Sequence, residues 1–127
     1  MRKGDNLELG LNPRTTPFNL DHTLCCGQVF RWEKVSGEWL GVIGEYLVRT
    51  SQKGNRLHFE TFPEEGGEEN LAREYFRLDD DLPSITSLIN KDRTIGEALN
   101  RLQGLRIIRQ DPWECLISFV CATFSNI

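Results

Sequence analysis

Residues 28–62 read QVFRWEKVSGEWLGVIGEYLVRTSQKGNRLHFETF. Ser36-Gly37, Gly44 and Lys53-Gly54-Asn55 divide the stretch into four short runs, QVFRWEKV, EWLGVIG, EYLVRTSQ and RLHFETF. Glycine at such breaks supplies the positive φ that a tight hairpin turn demands. Within the runs Phe30 alternates with Trp32 and Leu57 with Phe59, a period of two that turns one face of each run inward. The expectation is a four-stranded antiparallel meander with Phe30 and Trp32 in its core, the other reading of the pair being an exposed aromatic stacking platform.

Outward from this stretch the period changes. After the acidic segment PEEGGEEN (63–70), Leu71, Tyr75 and Leu78 recur at helical spacing, with the helix beginning near Glu69 or Asn70. DDLPSITSLINK (80–91) carries Leu82, Ile85, Leu88 and Ile89 on one helical face. Pro83 stands in its first turn, where a missing N–H does no harm. TIGEALNRLQG (94–104) adds Ile95, Leu99 and Leu102, with Thr94 as candidate N-cap and Gly104 as C-cap. The final segment, RQDPWECLISFVCATFSNI (109–127), opens with Asp111 as N-cap and Pro112 at the first helical position. Its apolar residues cover nearly the whole circumference, which predicts a helix buried on all sides. The fold class expected is α+β, an antiparallel sheet flanked by helices.

Length and composition set the bounds. A chain of 127 residues suffices for one domain and is short for two, so residues 1–127 are expected to form a single domain. Hydrophobic content of 39% and charged content of 27% are those of a globular protein rather than a disordered one. No apolar run approaches the roughly 18 residues that span a bilayer, and MRKGDNLELG lacks the apolar centre of a signal peptide. A cytoplasmic location, nucleoid-associated if the source is prokaryotic, without membrane contact is the expectation. Cys25, Cys26, Cys115 and Cys121 lack CxxC spacing and read as four reduced thiols. With only His22 and His58 beside them, no structural zinc is expected.

A net charge of −4 argues against gripping a polyanion by bulk electrostatics. Charge is uneven, however. PEEGGEEN and LDDDLP are acidic while GLRIIRQ and VFRWEK are basic, so faces of opposite sign are one reading and plain solvation is the other. Asp79, Asp80 and Asp81 read as a charge run favoured at a helix start rather than as a catalytic cluster. Arg109 and Gln110 could touch phosphate or brace the sheet, and the sequence leaves both open.

Four segments taken together resemble a known family. LCCGQVFRW (24–32), WLGVIGEYLVRTSQ (39–52), YFRLD (75–79) and GLRIIRQDPWECLISFVCATFSNI (104–127) are similar, in order and spacing, to the N-terminal region of 8-oxoguanine DNA glycosylases of the helix-hairpin-helix superfamily. The likeness extends over about residues 17–127. It implies an antiparallel sheet with flanking helices, similar to half of a TATA-binding-protein fold. It also implies a role in base excision repair, as the lesion-recognition and DNA-binding part of an N-glycosylase/AP lyase whose partner is damaged double-stranded DNA.

The resemblance assigns individual residues. Guanine presents a bare acceptor at N7 and its 8-oxo form an N–H donor, so a fixed carbonyl distinguishes them. The family uses the carbonyl of the glycine that Gly27 matches, and a glycine lets a flipped base approach the backbone closely. The other reading of Gly27 is a turn residue that merely starts a strand. Where the family commonly shows consecutive asparagines that probe the gap left by the flipped nucleotide, this chain has Phe124, Ser125 and Asn126. Only Asn126 keeps the type. Phe124 could wedge into the base stack or pack beneath a further domain. The family's lysine nucleophile and assisting aspartate lie downstream, so no catalytic residue, metal or cofactor is expected within residues 1–127. The chain is thus expected to be truncated before a C-terminal catalytic domain, and to be inactive alone. A freestanding, non-catalytic interaction module with a TATA-binding-protein-like half-sheet is the competing expectation, and for the apolar last helix the other reading is a complete small protein that dimerises through it.

Overall fold

The computed structural model describes residues 7–123. Five strands form one antiparallel sheet in the order β1-β5-β4-β3-β2, with β1 Leu7–Gly10, β2 Trp32–Val35, β3 Glu38–Ile43, β4 Tyr46–Lys53 and β5 Arg56–Phe62. The meander predicted over 28–62 is present, but the sheet has a fifth strand that the pattern did not reveal. LELG is too short to show a period of its own, and it is held by pairing with the edge of β5, Leu9 opposite Leu57. The first predicted run also begins later than expected, at Trp32 rather than Gln28.

The register explains the core. Across one face run Trp32, Gly41, Val48 and Thr61, and beside them Trp39, Thr50 and Phe59. Gly41 is required by close approach, because a Cβ there would penetrate the Trp32 ring. Helix α1, Leu20–Cys25, inserts Leu20 and Leu24, and α2, Glu68–Tyr75, packs on β5 and β1. Phe76, immediately after α2, is wholly buried and touches the rings of Phe18, Trp32, Phe59 and Tyr75 at centroid separations of 5.1 to 6.4 Å. Leu9, Leu11, Leu57, Leu78 and Ile108 complete this core.

Three further helices follow, α3 Leu82–Ile89, α4 Arg93–Arg101 and α5 Pro112–Ala122. Asp81 caps α3 by accepting the Ser84 N–H, with Pro83 in the first turn as expected, while Asp79 and Asp80 pair with Arg73 and Arg77. The N-cap of α4 is Asp92, not Thr94: its carboxylate accepts the Ile95 N–H, and it lies two residues earlier, where the chain is extended at φ −147°. Asp111 caps α5 through the Glu114 N–H as predicted. The expectation that α5 is buried on all sides is overturned. None of its described residues is buried, and Trp113, Leu116 and Val120 are more than half exposed. Circumferential apolarity records a demand for partners, and the described residues meet it only in part, with Phe30 against Phe119. No helix among the described residues is long and apolar enough to cross a membrane.

Candidate nucleic-acid interface: the Gly27 loop

Asn19 starts α1 by accepting the His22 N–H, and the helix ends at Cys26. Gly27 follows at φ +83°, in the left-handed region that disfavours any residue with a Cβ. The reversal directs the chain away from α1 and toward β2. A Cβ on Gly27 would meet open space, so backbone conformation rather than crowding selects glycine here within the chain itself.

The next residue fixes the loop. Gln28 donates Nε2–H to the Thr23 carbonyl at 2.9 Å and to the Arg106 carbonyl at 2.8 Å, and its Oε1 accepts the Ile108 N–H at 2.9 Å. The Gln28 carbonyl accepts from Gln110 Nε2 at 2.6 Å. One side chain and one carbonyl therefore stitch the loop to the strap that leads into α5. By contrast, among the described residues no donor reaches the carbonyl of Gly27. An exposed carbonyl that no protein donor occupies is an available acceptor.

The strap is anchored from below by Arg106, 2% exposed. Its Nε donates to Pro17 O and its Nη1 to the carbonyls of Arg77 and Asp80, while its own N–H reaches Thr23 Oγ1. Nη2 has no partner among the described residues. Burial pushes this guanidinium below its ordinary pKa, with Asp80 and Asp79 opposing the shift. Of the residues in GLRIIRQ, Arg106 joins neither a basic face nor a solvated one: it is an internal brace that gathers backbone carbonyls. Arg109 lies outside, pairing with Glu74 at 2.8 Å. Gln110 likewise braces the loop, through its bond to Gln28.

Beyond Gln28 the chain turns toward α5. Phe30 is not in the core with Trp32, as alternation predicts, because it precedes the strand and escapes the ladder's period. It is exposed and packs edge-on against Phe119 at 5.2 Å. Arg31 pairs with Glu114 at 2.8 Å. Trp32 returns to the sheet, stacks beside Phe76 and donates Nε1–H to Tyr75 Oη at 2.9 Å. Burial pushes the Tyr75 hydroxyl up to about 12, so it stays protonated across physiological pH. The Gly27 loop and α5 are thus joined through Phe30, Arg31 and the Gln28–Gln110 bond. Arg31, Lys34 and Arg109 face carboxylates of Glu114, Asp21 and Glu74. Phe124, Ser125 and Asn126 lie outside the described residues.

The sequence pointed to Gly27 through resemblance and offered Gln110 as one possible brace, but it did not reveal Gln28 or Arg106 as supports. The signal for Gln28 was weak, a lone polar residue between a glycine and an apolar run. Arg106 was disguised by neighbouring arginines that are exposed. Among the described residues no three His, Cys, Asp or Glu side chains cluster as metal ligands, and the described cysteines are free thiols.

Known proteins are similar to this chain in sequence and fold. The family described as 8-oxoguanine DNA glycosylase, N-terminal domain, matches residues 10–116. The N-glycosylase/DNA lyase OGG1 of Arabidopsis thaliana is 32% identical over 130 residues, covering 91% of this chain and 35% of the relative. The N-glycosylase/DNA lyase of Saccharomyces cerevisiae is 31% identical over 121 residues, covering 85% of this chain and 32% of the relative. The chain spans about a third of the length of these curated relatives. Among solved structures, the apo form of Clostridium acetobutylicum 8-oxoguanine glycosylase/lyase superposes with a TM-score of 0.78 at 30% identity, covering 86% of this chain and 38% of that one. The same glycosylase in complex with double-stranded DNA containing cytosine opposite 8-oxoG gives 0.77 at 30% identity, with the same coverage. MBOgg1 with a low-affinity DNA ligand gives 0.77 at 30% identity, covering 91% of this chain and 43% of that one.

Proposed function

This chain belongs to the family of 8-oxoguanine DNA glycosylase N-terminal domains, and on that premise we propose that it is the lesion-recognition and DNA-binding part of an 8-oxoguanine DNA N-glycosylase/AP lyase. In this reading the Gly27 carbonyl accepts the N7–H of the flipped 8-oxoguanine. Guanine in the same place would set two acceptors against each other and leave a desolvated carbonyl unpaired, a loss of about 1–3 kcal/mol before repulsion is added. The bond-breaking chemistry, a lysine attacking the sugar carbon to expel the base, belongs to a further domain outside residues 1–127. Phe124, Ser125 and Asn126 are then the residues that enter the gap in the duplex, with Phe124 wedging between bases.

One observation supports the reading above others. The Gly27 carbonyl has no donor among the described residues, while the carbonyl of Gln28 beside it, the Gln28 side chain and the Arg106 backbone are all engaged. A site that selects by one hydrogen bond must be held still, and the four bonds of Gln28 hold it.

Gly37 provides a matched control, because it sits at φ +87° with open space where a Cβ would go, against φ +83° and open space at Gly27. Alanine imposes similar backbone strain at both positions. In the full-length protein, Gly27→Ala lowers 8-oxoguanine excision at least about tenfold, roughly 1.4 kcal/mol, and leaves cleavage at a pre-formed abasic site much less affected. Gly37→Ala costs stability without that selective loss. If both variants impair lesion excision and abasic cleavage alike, Gly27 is a turn residue only and the reading fails.

A further inference from the structure

The rim of the Gly27 loop carries an unusual pair of thiols. Cys25 is the last residue of α1 and Cys26 its C-cap at φ −84°, ψ 8°, and both side chains are free and exposed. We infer that Cys25 and Cys26 form a bidentate binding site for a soft trivalent arsenical.

Adjacent Cα atoms lie about 3.8 Å apart across a trans peptide, so rotation about χ1 can bring both sulfurs onto one atom. Bonding them directly to each other strains the small ring that results. Inserting one large atom between them enlarges the ring and relieves the strain. The thiol of Cys26 donates a weak hydrogen bond to Thr23 O at 3.3 Å, and ligation forfeits little by releasing it.

Ligand number separates this class from metals. Among the described residues no third His, Cys, Asp or Glu side chain joins the pair in a metal-binding cluster. Zinc wants four protein ligands in a structural site, or three and a water, and lacks them here. An arylarsenical carries its own third substituent and needs two thiols. The reaction with phenylarsine oxide balances without an oxidant or reductant: two As–S bonds form, the As=O bond breaks, and both thiol protons leave with the oxygen as one water. Arsenic remains trivalent throughout. The other two cysteines cannot imitate the site, since Cys115 and Cys121 stand six residues apart on α5, about 9 Å along its axis.

Once the first As–S bond has formed, the second closes within the molecule, and a monothiol must compete with a neighbouring thiol at an effective concentration of millimolar or more. The binding stands independently of what Gly27 reads.

The test uses the reduced 127-residue chain with one equivalent of phenylarsine oxide, followed by intact mass measurement under a glutathione challenge. One phenylarsenic group per chain should be retained in about 1 mM glutathione and released by dimercaptopropanol. Cys25→Ser or Cys26→Ser should each lower retention at least about tenfold, and the double variant Cys115→Ser/Cys121→Ser should leave it unchanged. Serine at either exposed position preserves the fold, and at 26 it can still donate to Thr23 O. Retention unchanged in either single variant, loss of the adduct in the Cys115/Cys121 variant, or release by glutathione from the unaltered chain as fast as from the single variants would overturn the site.

Discussion

The sheet with α1 and α2 and the group of α3, α4 and α5 are built from comparably apolar sequence and end in opposite conditions. In the first region Val48, Leu57, Phe59, Ala72 and Phe76 are 0–1% exposed. In the second no helix buries a single residue, and Leu88, Ile107, Trp113 and Leu116 are 55–71% exposed. Apolar content does not make a core; complementary surfaces do, and the first region supplies both sides of each contact. Strand register lays Trp32 over Gly41, and Phe76 drops among four rings. The apolar faces of the second region lack such counterparts among the described residues. The Gly27 loop stands at the boundary, clamped to the first region through Thr23 and tied to the second through Gln110 and Glu114.

The largest loss of stability is expected at Phe76. Phe76→Ala should cost about 3–5 kcal/mol, read as a lower denaturant midpoint with an unchanged slope. A cost under about 1 kcal/mol would mean that the first region is no better packed than the second. Next in size is the boundary itself. Gln28→Ala leaves the Ile108 N–H and the Arg106 carbonyl without their partner, which should cost about 1–3 kcal/mol. It should also raise hydrogen exchange in 106–110 more than in β4. Uniform exchange across both segments would show that Gln28 does not couple the two regions.

The two regions were unequally legible in the sequence. Turns at Ser36-Gly37, Gly44 and Gly54 fixed the hairpins because positive φ is a local demand of the backbone, met by a local residue type. Asp111 and Pro112 marked the start of α5 for the same reason. At α4 two cap residues two positions apart compete, and the extended backbone at Asp92 decides, which sequence spacing does not contain. Phe30 was misplaced by extending the period of two beyond the end of the strand. Burial of α5 was misread because apolarity states a need and not its satisfaction. The glycine of the candidate site was visible through resemblance, but its clamp was not. Gln28 reaches across 78 and 80 positions to Arg106 and Ile108, and no periodic pattern encodes such a bond.

A smaller effect tests the first region at its surface. The Lys34 ammonium, followed by the Trp39 indole N–H, holds the Asp21 carboxyl below its ordinary pKa. A folded-state pKa below the unfolded one adds stability that is fully present above the unfolded value of about 3.9 and is lost as pH falls through the folded value. The pair is substantially exposed and so worth under about 1 kcal/mol. Asp21→Asn should therefore lower stability slightly at pH 7 and converge with the unaltered chain in acid. A gap that persists or widens in acid would show that Asp21 acts through packing instead of charge.

The smallest expected change in stability is on α5, and there the informative quantity is association. Trp113, Leu116 and Val120 fall at spacings of three and four residues, on one stripe of the helix, each more than half exposed. Burying them in folding contributes little, so Leu116→Gln with Val120→Gln should shift the unfolding midpoint by no more than a surface change does, within about 0.5 kcal/mol. The same stripe in water favours contact between chains. Sedimentation of the unaltered chain should accordingly show concentration-dependent self-association that the double variant reduces. If the variant unfolds as readily as Phe76→Ala, α5 belongs to the core and the division into two regions is wrong. If the unaltered chain sediments as a clean monomer at high concentration, the exposed stripe does not act as a contact surface.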